Sequence, residues 1–310
     1  MAKVTVVGAG NVGATCAHSL LRLKLADVVL IDIDEGLTKG KALDLSQAGV
    51  IEGFTDKITG GSDYRASADS DVVVVTAGLP RRPGMSREEL LDKNARIICE
   101  VIQRSLDTSP EATIIVLTNP LDLMAYLAYR VSGLDAQRVI GMGGVLDTAR
   151  FKRFIASEVG VNPADVEAMV IGAHSDSMVP LASLAKVDGK ALTSLISPDA
   201  IASIIERTKG GGAEIVSHLK QGSAFYAPGA AAAHMVGAIL LGDKRITPAS
   251  VFAGGAYGID GLYIGLPVTL DLSGVLEIVE LQLSPVEQEA LLSSAKEIEA
   301  GLTALGRWFS

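Results

Sequence analysis

Short runs of β-branched and aliphatic residues alternate with stretches of helical period over the first 140 positions. The runs at 4–7, 28–32, 71–76 and 112–117, with a shorter one at 138–140, read as strands. They are apolar throughout rather than at every second position, which predicts strands buried on both faces. Helices are expected between them, over 12–24, 37–48, 87–109 and 121–132. Strand–helix alternation of this kind predicts a doubly wound α/β layer with a parallel sheet.

The pattern changes after residue 142. A helix is expected over 146–160, a strand over 166–171 and a short extended piece at 179–180. Helices follow at 198–208, 212–220 and 230–241, and then antiparallel strands at 251–257, 262–270 and 274–279. A last helix over 284–305 opens with Ser284 and Glu287 at capping-box spacing. This half reads as α+β. The change of pattern divides the chain into 1–142 and 143–310, without an internal repeat or a low-complexity linker.

Composition narrows the class. The chain has 310 residues, 48% hydrophobic and 20% charged, which excludes disorder. Its 33 glycines exceed the usual ~7%, pointing to tight turns and close backbone approaches. A net charge of −9 with no dense Lys/Arg run argues against a nucleic-acid partner. Mean hydropathy is positive, yet the worst apolar stretch, 227–242, is broken by Pro228 and His234 and is too short to span a bilayer. Glycines 8, 10 and 13 interrupt the apolar start, so it reads as uncleaved rather than as a signal peptide. With only Cys16 and Cys99, the expectation is a soluble cytoplasmic protein without a disulfide framework.

The segment Gly8-Ala9-Gly10-Asn11-Val12-Gly13 follows the first strand and opens the first helix. Glycines at this spacing allow a tight turn, approach of a pyrophosphate and close helix–strand packing, while the helix N-terminus offers free N–H groups. Asp32 ends the second strand nineteen residues beyond Gly13, where an acid binds ribose hydroxyls and repels a 2′-phosphate. The loop and acid together point to a Rossmann site for NAD. Methyltransferases pair a glycine loop with an acid too, so these residues alone leave the reaction class open.

Of four histidines, His18, His218 and His234 lie in helical patterns. His174 lies in Gly172-Ala173-His174-Ser175-Asp176, just past a strand, where loops carry chemistry. Asp147 and Arg150 stand three apart at a helix start, on one face. The 79–87 loop concentrates Arg81, Arg82 and Arg87, whose guanidinium groups suit a carboxylate ligand. No His/Cys cluster suggests a metal.

Together with Thr118-Asn119-Pro120, these motifs resemble the lactate/malate dehydrogenase family over essentially the whole chain. The resemblance implies a C-terminal α+β catalytic domain behind the Rossmann half, and His174 as proton acceptor and donor with Asp147 fixing its tautomer. It implies that Arg150 holds the substrate's first carboxylate and that Arg87 polarises the reacting carbonyl, with Asn119 donating to the same oxygen. Asn94, Leu117, Thr118 and Asn119 would contact the cofactor near the nicotinamide. Arg81 stands where the family's lactate enzymes usually carry glutamine and its malate enzymes arginine. A second carboxylate buried without a counter-charge is costly, so the expected substrates are malate and oxaloacetate, with NAD as cofactor and a homodimer or homotetramer as the assembly. One departure is Ser175, where the family usually has glycine; a side chain there restricts positive φ. Lactate oxidation is the alternative within the family. A non-catalytic dinucleotide module or a methyltransferase would have no use for His174, Asp147 and Arg150 together, and a related NAD-dependent glycosidase would need metal ligands.

Overall fold

The computed structural model describes residues 2–55, 57–80 and 85–308, with only the backbone of Arg87 and Arg307. Six parallel strands form the first half: β1 (Lys3–Val7), β2 (Asp27–Ile31), β3 (Ile58–Gly61), β4 (Val72–Val75), β5 (Thr113–Val116) and β6 (Val139–Gly141). Their order across the sheet is β3-β2-β1-β4-β5-β6. The order reverses between β1 and β4, and this crevice at the strand ends is where an open α/β sheet receives ligands.

Helices α1 (Asn11–Arg22) and α2 (Glu35–Glu52) follow β1 and β2, while α3 (Arg87–Leu106) and α4 (Leu121–Ser132) follow β4 and β5. Strand β4 explains why these runs are apolar throughout. Val72 and Val74 join one core with Leu20, Leu21 and Val236, whereas Val73 and Val75 join the opposite core with Ile98, Ile102 and Leu127. Successive side chains point to opposite faces, and both faces are covered.

The second half contains α5 (Gly144–Val159), the short strands β7 (Val166–Glu167), β8 (Val170–Ile171), β9 (Val179–Pro180), β10 (Lys186–Val187) and β11 (Lys190–Ala191), then α6 (Pro198–Leu219) and α7 (Tyr226–Leu241). Strands β12 (Thr247–Phe252), β13 (Tyr263–Asp271) and β14 (Gly274–Ile278) precede α8 (Pro285–Leu305). These three strands extend the first half's sheet: β12 pairs antiparallel with β6 at Ser250–Gly141, giving nine strands among the described residues. The apolar α7 packs Ala231, Ala232, Ala233, Ala238, Met235 and Ile239 into the core shared with α1. Among the described residues no helix is long and apolar enough to cross a membrane.

The fold is α/β as expected, with four local corrections. The two helices expected over 198–208 and 212–220 are one continuous α6, in which Gly211 and Gly212 lie against Arg150 rather than forming a break. The strand expected over 166–171 is two, because β7 pairs with β10 and β8 with β9 in separate small sheets. Strand β12 begins four residues earlier than expected, its start hidden by Pro248. The edge strand β3 carries no clear sequence signal, since Ile58-Thr59-Gly60-Gly61 holds one large apolar residue. The capping box on α8 forms as predicted.

Candidate active site

Strand β1 passes into Gly8, whose φ of +107° suits glycine and whose N–H donates to the Ile31 carbonyl at 2.8 Å. A Cβ on Gly8 would lie 2.6 Å from the Ala77 nitrogen, and one on Gly13 would lie 1.9 Å from the Gly8 oxygen. Gly10 differs, because a Cβ there would meet nothing within 4 Å. The fold itself does not require glycine at 10, so its bare backbone fits the close approach of a dinucleotide phosphate. Gly10 caps α1 without a side-chain hydrogen bond, which leaves the first-turn N–H groups of Asn11, Val12 and Gly13 to face such an anion. Asp32 Oδ2 accepts from the Ala9 N–H at 2.6 Å and Oδ1 from the Asp34 N–H at 3.2 Å, which holds the carboxylate against the loop. The donor set and the open approach suit NAD.

Two braces of the loop escape sequence reasoning. Lys41 Nζ donates to the Ala9 carbonyl at 2.6 Å, and Thr76 Oγ1 bonds to the carbonyls of Val7 and Gly8 at 3.2 and 3.0 Å. Both lie far from the loop in sequence and carry no motif.

The end of β5 forms a second wall. The Leu117 N–H donates to the Val75 carbonyl at 2.9 Å, and Thr118 Oγ1 donates to the Ala77 carbonyl at 2.7 Å. Asn119 is exposed, and its peptide to Pro120 is cis. Asn94 is buried and used by the backbone. Its Oδ1 accepts from the Leu79 N–H at 2.8 Å, and its Nδ2 donates to the carbonyls of Leu79 and Asn119 at 3.2 and 2.7 Å. It reaches the site as a tie between the loop root and the Asn119 turn. Arg81 lies outside the described residues, as does the side chain of Arg87. The backbone of Arg87 opens α3 just after Ser86, the N-cap that forms a capping box with Glu89.

A buried charged cluster gathers around His174. Its Nδ1 lies 2.6 Å from Asp147 Oδ2, and Asp147 Oδ1 accepts from Arg150 Nη1 at 3.0 Å. The Asp147 side chain is 2% exposed and those of His174 and Arg150 about 15%, so this is no solvated surface pair. An ionised carboxylate only accepts, so Nδ1 carries the proton and Nε2 keeps a lone pair. Burial by itself lowers the imidazole pKa, but the charge and hydrogen bond of Asp147, with Asp122 behind it, outweigh this against opposition from Arg150. The net effect raises His174 above the ordinary 6.5. A Cβ on Gly143 would come within 3.1 Å of His174 Cβ, so glycine there lets the loop lie on the start of α5. Ser175 has no positive φ; its hydroxyl bonds Ser177 Oγ at 2.9 Å, so the serine is accommodated in ordinary backbone. His18 pairs with Glu52 at 3.0 Å, and His218 and His234 are exposed, all outside this cluster.

Residues 2–141 match the model for the lactate/malate dehydrogenase NAD binding domain, and residues 144–305 match that for the lactate/malate dehydrogenase alpha/beta C-terminal domain. This chain belongs to the lactate/malate dehydrogenase family. Among family relatives, a malate dehydrogenase of Rhodopirellula baltica is 50% identical over 96% of each chain. The malate dehydrogenase of Salinibacter ruber, solved at 1.55 Å, superposes with a TM-score of 0.94 at 47% identity over 98% of each chain. A lactate dehydrogenase of Cryptosporidium parvum, solved with lactic acid and nicotinamide adenine dinucleotide, gives 0.93 at 43% identity over 96% of each chain.

Two further features of this family member have no local sequence signal. Asp122 is buried beside His174, accepting from its N–H at 2.8 Å and from Ser250 Oγ at 2.7 Å. The glycines inside α6 form the bed of Arg150: a Cβ on Gly211 would lie 3.1 Å from its Cδ, and one on Gly212 would lie 3.6 Å from Nη2. The glycine run is visible in the sequence, but its partner, about sixty residues away, is not.

Proposed function

We propose that the chain catalyses the reversible NAD-linked interconversion of (S)-malate and oxaloacetate, with residues 1–142 as the NAD-binding domain, which also lends Arg81, Arg87 and Asn119 to the substrate, and 143–310 as the substrate-binding and catalytic domain. The observation that carries the reading is the buried Arg150–Asp147–His174 array, in a chain that also holds a glycine loop suited to a dinucleotide. The choice of malate draws on Arg81 and on the names of relatives about half identical to this chain.

Asp147 keeps the proton on Nδ1, so His174 Nε2 accepts the hydroxyl proton in malate oxidation and returns it in the reverse direction. The imidazolium formed is stabilised by the same carboxylate. Arg150 binds the C1 carboxylate in a bidentate fork. Arg87 and Asn119 donate to the oxygen that becomes the carbonyl, and Arg81 neutralises the distal carboxylate. Gly8 to Gly13 with Asp32 hold the dinucleotide, and Leu117, Thr118 and Asn119 border its nicotinamide, with Asn94 bracing that turn. NAD, when bound, supplies the hydride acceptor.

Purified protein with NADH is offered oxaloacetate or pyruvate while cofactor absorbance is followed. Oxaloacetate is expected to be reduced far faster. A preference for pyruvate would make lactate the substrate, and no turnover of either would remove the dehydrogenase reading. The two free cysteines suit a reducing cytoplasm, and the family resemblance supports a homodimer or homotetramer, which sedimentation would distinguish.

A further inference from the structure

Asp122 is a buried acid to which the mechanism above gives no part. It stands in the first turn of α4, two residues after the cis Asn119–Pro120 peptide, and is 6% exposed. Its Oδ2 accepts from the His174 backbone N–H at 2.8 Å, and its Oδ1 accepts from Ser250 Oγ at 2.7 Å. One carboxylate thus ties three elements: the Asn119 turn through α4, the His174 loop, and β12 at its pairing point with β6. With His174, Ser175 and Glu297 it also lines a cavity of about 110 Å³.

We propose that Asp122 is a positioning residue for proton transfer: it anchors the His174 loop from behind and, as a buried anion, shares with Asp147 the stabilisation of the charged imidazole. The inference rests on the dehydrogenase reading. Both oxygens of Asp122 receive donors, and a carboxylate in the first turn of a helix is favoured by the helix dipole. Burial raises the Asp122 carboxyl pKa above its usual range, while the Ser250 and His174 hydrogen bonds pull it back. The groups facing His174 are Asp147 and Arg150 from α5, Asp122 from α4 and Glu297 from α8, with exposed Asp176 on its own loop. Beside Asp147, Asp122 is the one of these acids that is itself buried.

The test is Asp122→Asn, an isostere whose amide oxygen can accept from the His174 N–H while its NH₂ donates to Ser250 Oγ. Removal of the charge alone is read in two ways. The His174 ring signal, identified by His174→Asn, is titrated by NMR, and kcat/KM for malate is measured across pH. Both midpoints are expected to move down together by about 0.5–1 pH, with KM for NAD unchanged. Ser250→Ala removes a donor to Asp122 but leaves its carboxyl in place, and wherever the ¹³C signal shows Asp122 still ionised in that variant the midpoint is expected within about 0.3 pH of wild type. In the wild type, the ¹³C signal of the Asp122 carboxyl should report an ionised group at neutral pH, a reading that does not depend on the variant folding. Unmoved midpoints in Asp122→Asn, an equal fall in Ser250→Ala with Asp122 still ionised, or a protonated Asp122 at neutral pH in the wild type would each overturn the proposal while leaving the dehydrogenase reading intact. A wild-type protein inactive with both oxo acids would overturn both.

Discussion

Gly211 offers a test in which substrate binding and stability should move apart. A methyl group added at Gly211 would sit 3.1 Å from Arg150 Cδ and 3.4 Å from Nε. Unstrained carbon contacts lie at about 3.5–4.0 Å, so the arginine must retreat by roughly half an ångström. It has little freedom to do so, because Nη1 is held by Asp147 at 3.0 Å and the side chain is 14% exposed. If a misplacement of about 1 Å costs about 100-fold, half of that corresponds to about tenfold, or roughly 1.4 kcal/mol. Gly211→Ala should therefore raise KM for oxaloacetate or lower kcat/KM by about tenfold, with KM for NADH unchanged. Glycine inside a helix costs about 0.5–1 kcal/mol relative to alanine, so the same change offsets part of its own crowding and Tm should fall little. Gly210→Ala is the control. Its Cβ would meet nothing within 4 Å, so it should raise Tm by about 1 °C and leave every kinetic constant alone. Steady-state rates with varied oxaloacetate and NADH, plus calorimetry, decide the matter. Unchanged oxaloacetate kinetics in Gly211→Ala, or the same loss in Gly210→Ala, would refute the role given to the α6 glycines.

Three other outcomes follow from the site. His174 must be neutral to take the malate proton, and its pKa is raised. Malate oxidation should therefore rise with pH through a midpoint above 6.5 while oxaloacetate reduction falls through the corresponding range; an oxidation midpoint below 6.5 in initial-rate profiles would contradict this. Arg81→Gln should shift preference from oxaloacetate toward pyruvate by about 100-fold, the effect of losing a charge-assisted partner worth about 3 kcal/mol, measured as the ratio of the two kcat/KM values. Thr76→Val removes the hydroxyl bonded to the Val7 and Gly8 carbonyls and should weaken NADH binding severalfold and stability by about 1 kcal/mol. Fluorescence titration with NADH checks it, and an unchanged Kd would show that the loop holds its shape without Thr76.

Patterns local in the chain determine much of this protein. The four valines of β4 could only be buried on both faces, and glycines 8, 10 and 13 with Asp32 announce a dinucleotide site because their spacing is local to one strand–helix–strand unit. Asp147 and Arg150 share a face by helical period alone. Long-range closure decides the rest. That Asp147 turns to His174, twenty-seven residues on, and that Asp122 meets Ser250 across 128 residues depend on how α4, α5 and β12 stack. The glycines at 210–212 look like a helix break because local propensity weighs only the backbone, whereas in the folded chain the missing side chains of Gly211 and Gly212 make the space that Arg150 fills. Sequence periodicity determined which surfaces would be buried; tertiary packing decided which polar groups those surfaces would bring together, since a buried charge is tolerated only where distant donors and acceptors meet it.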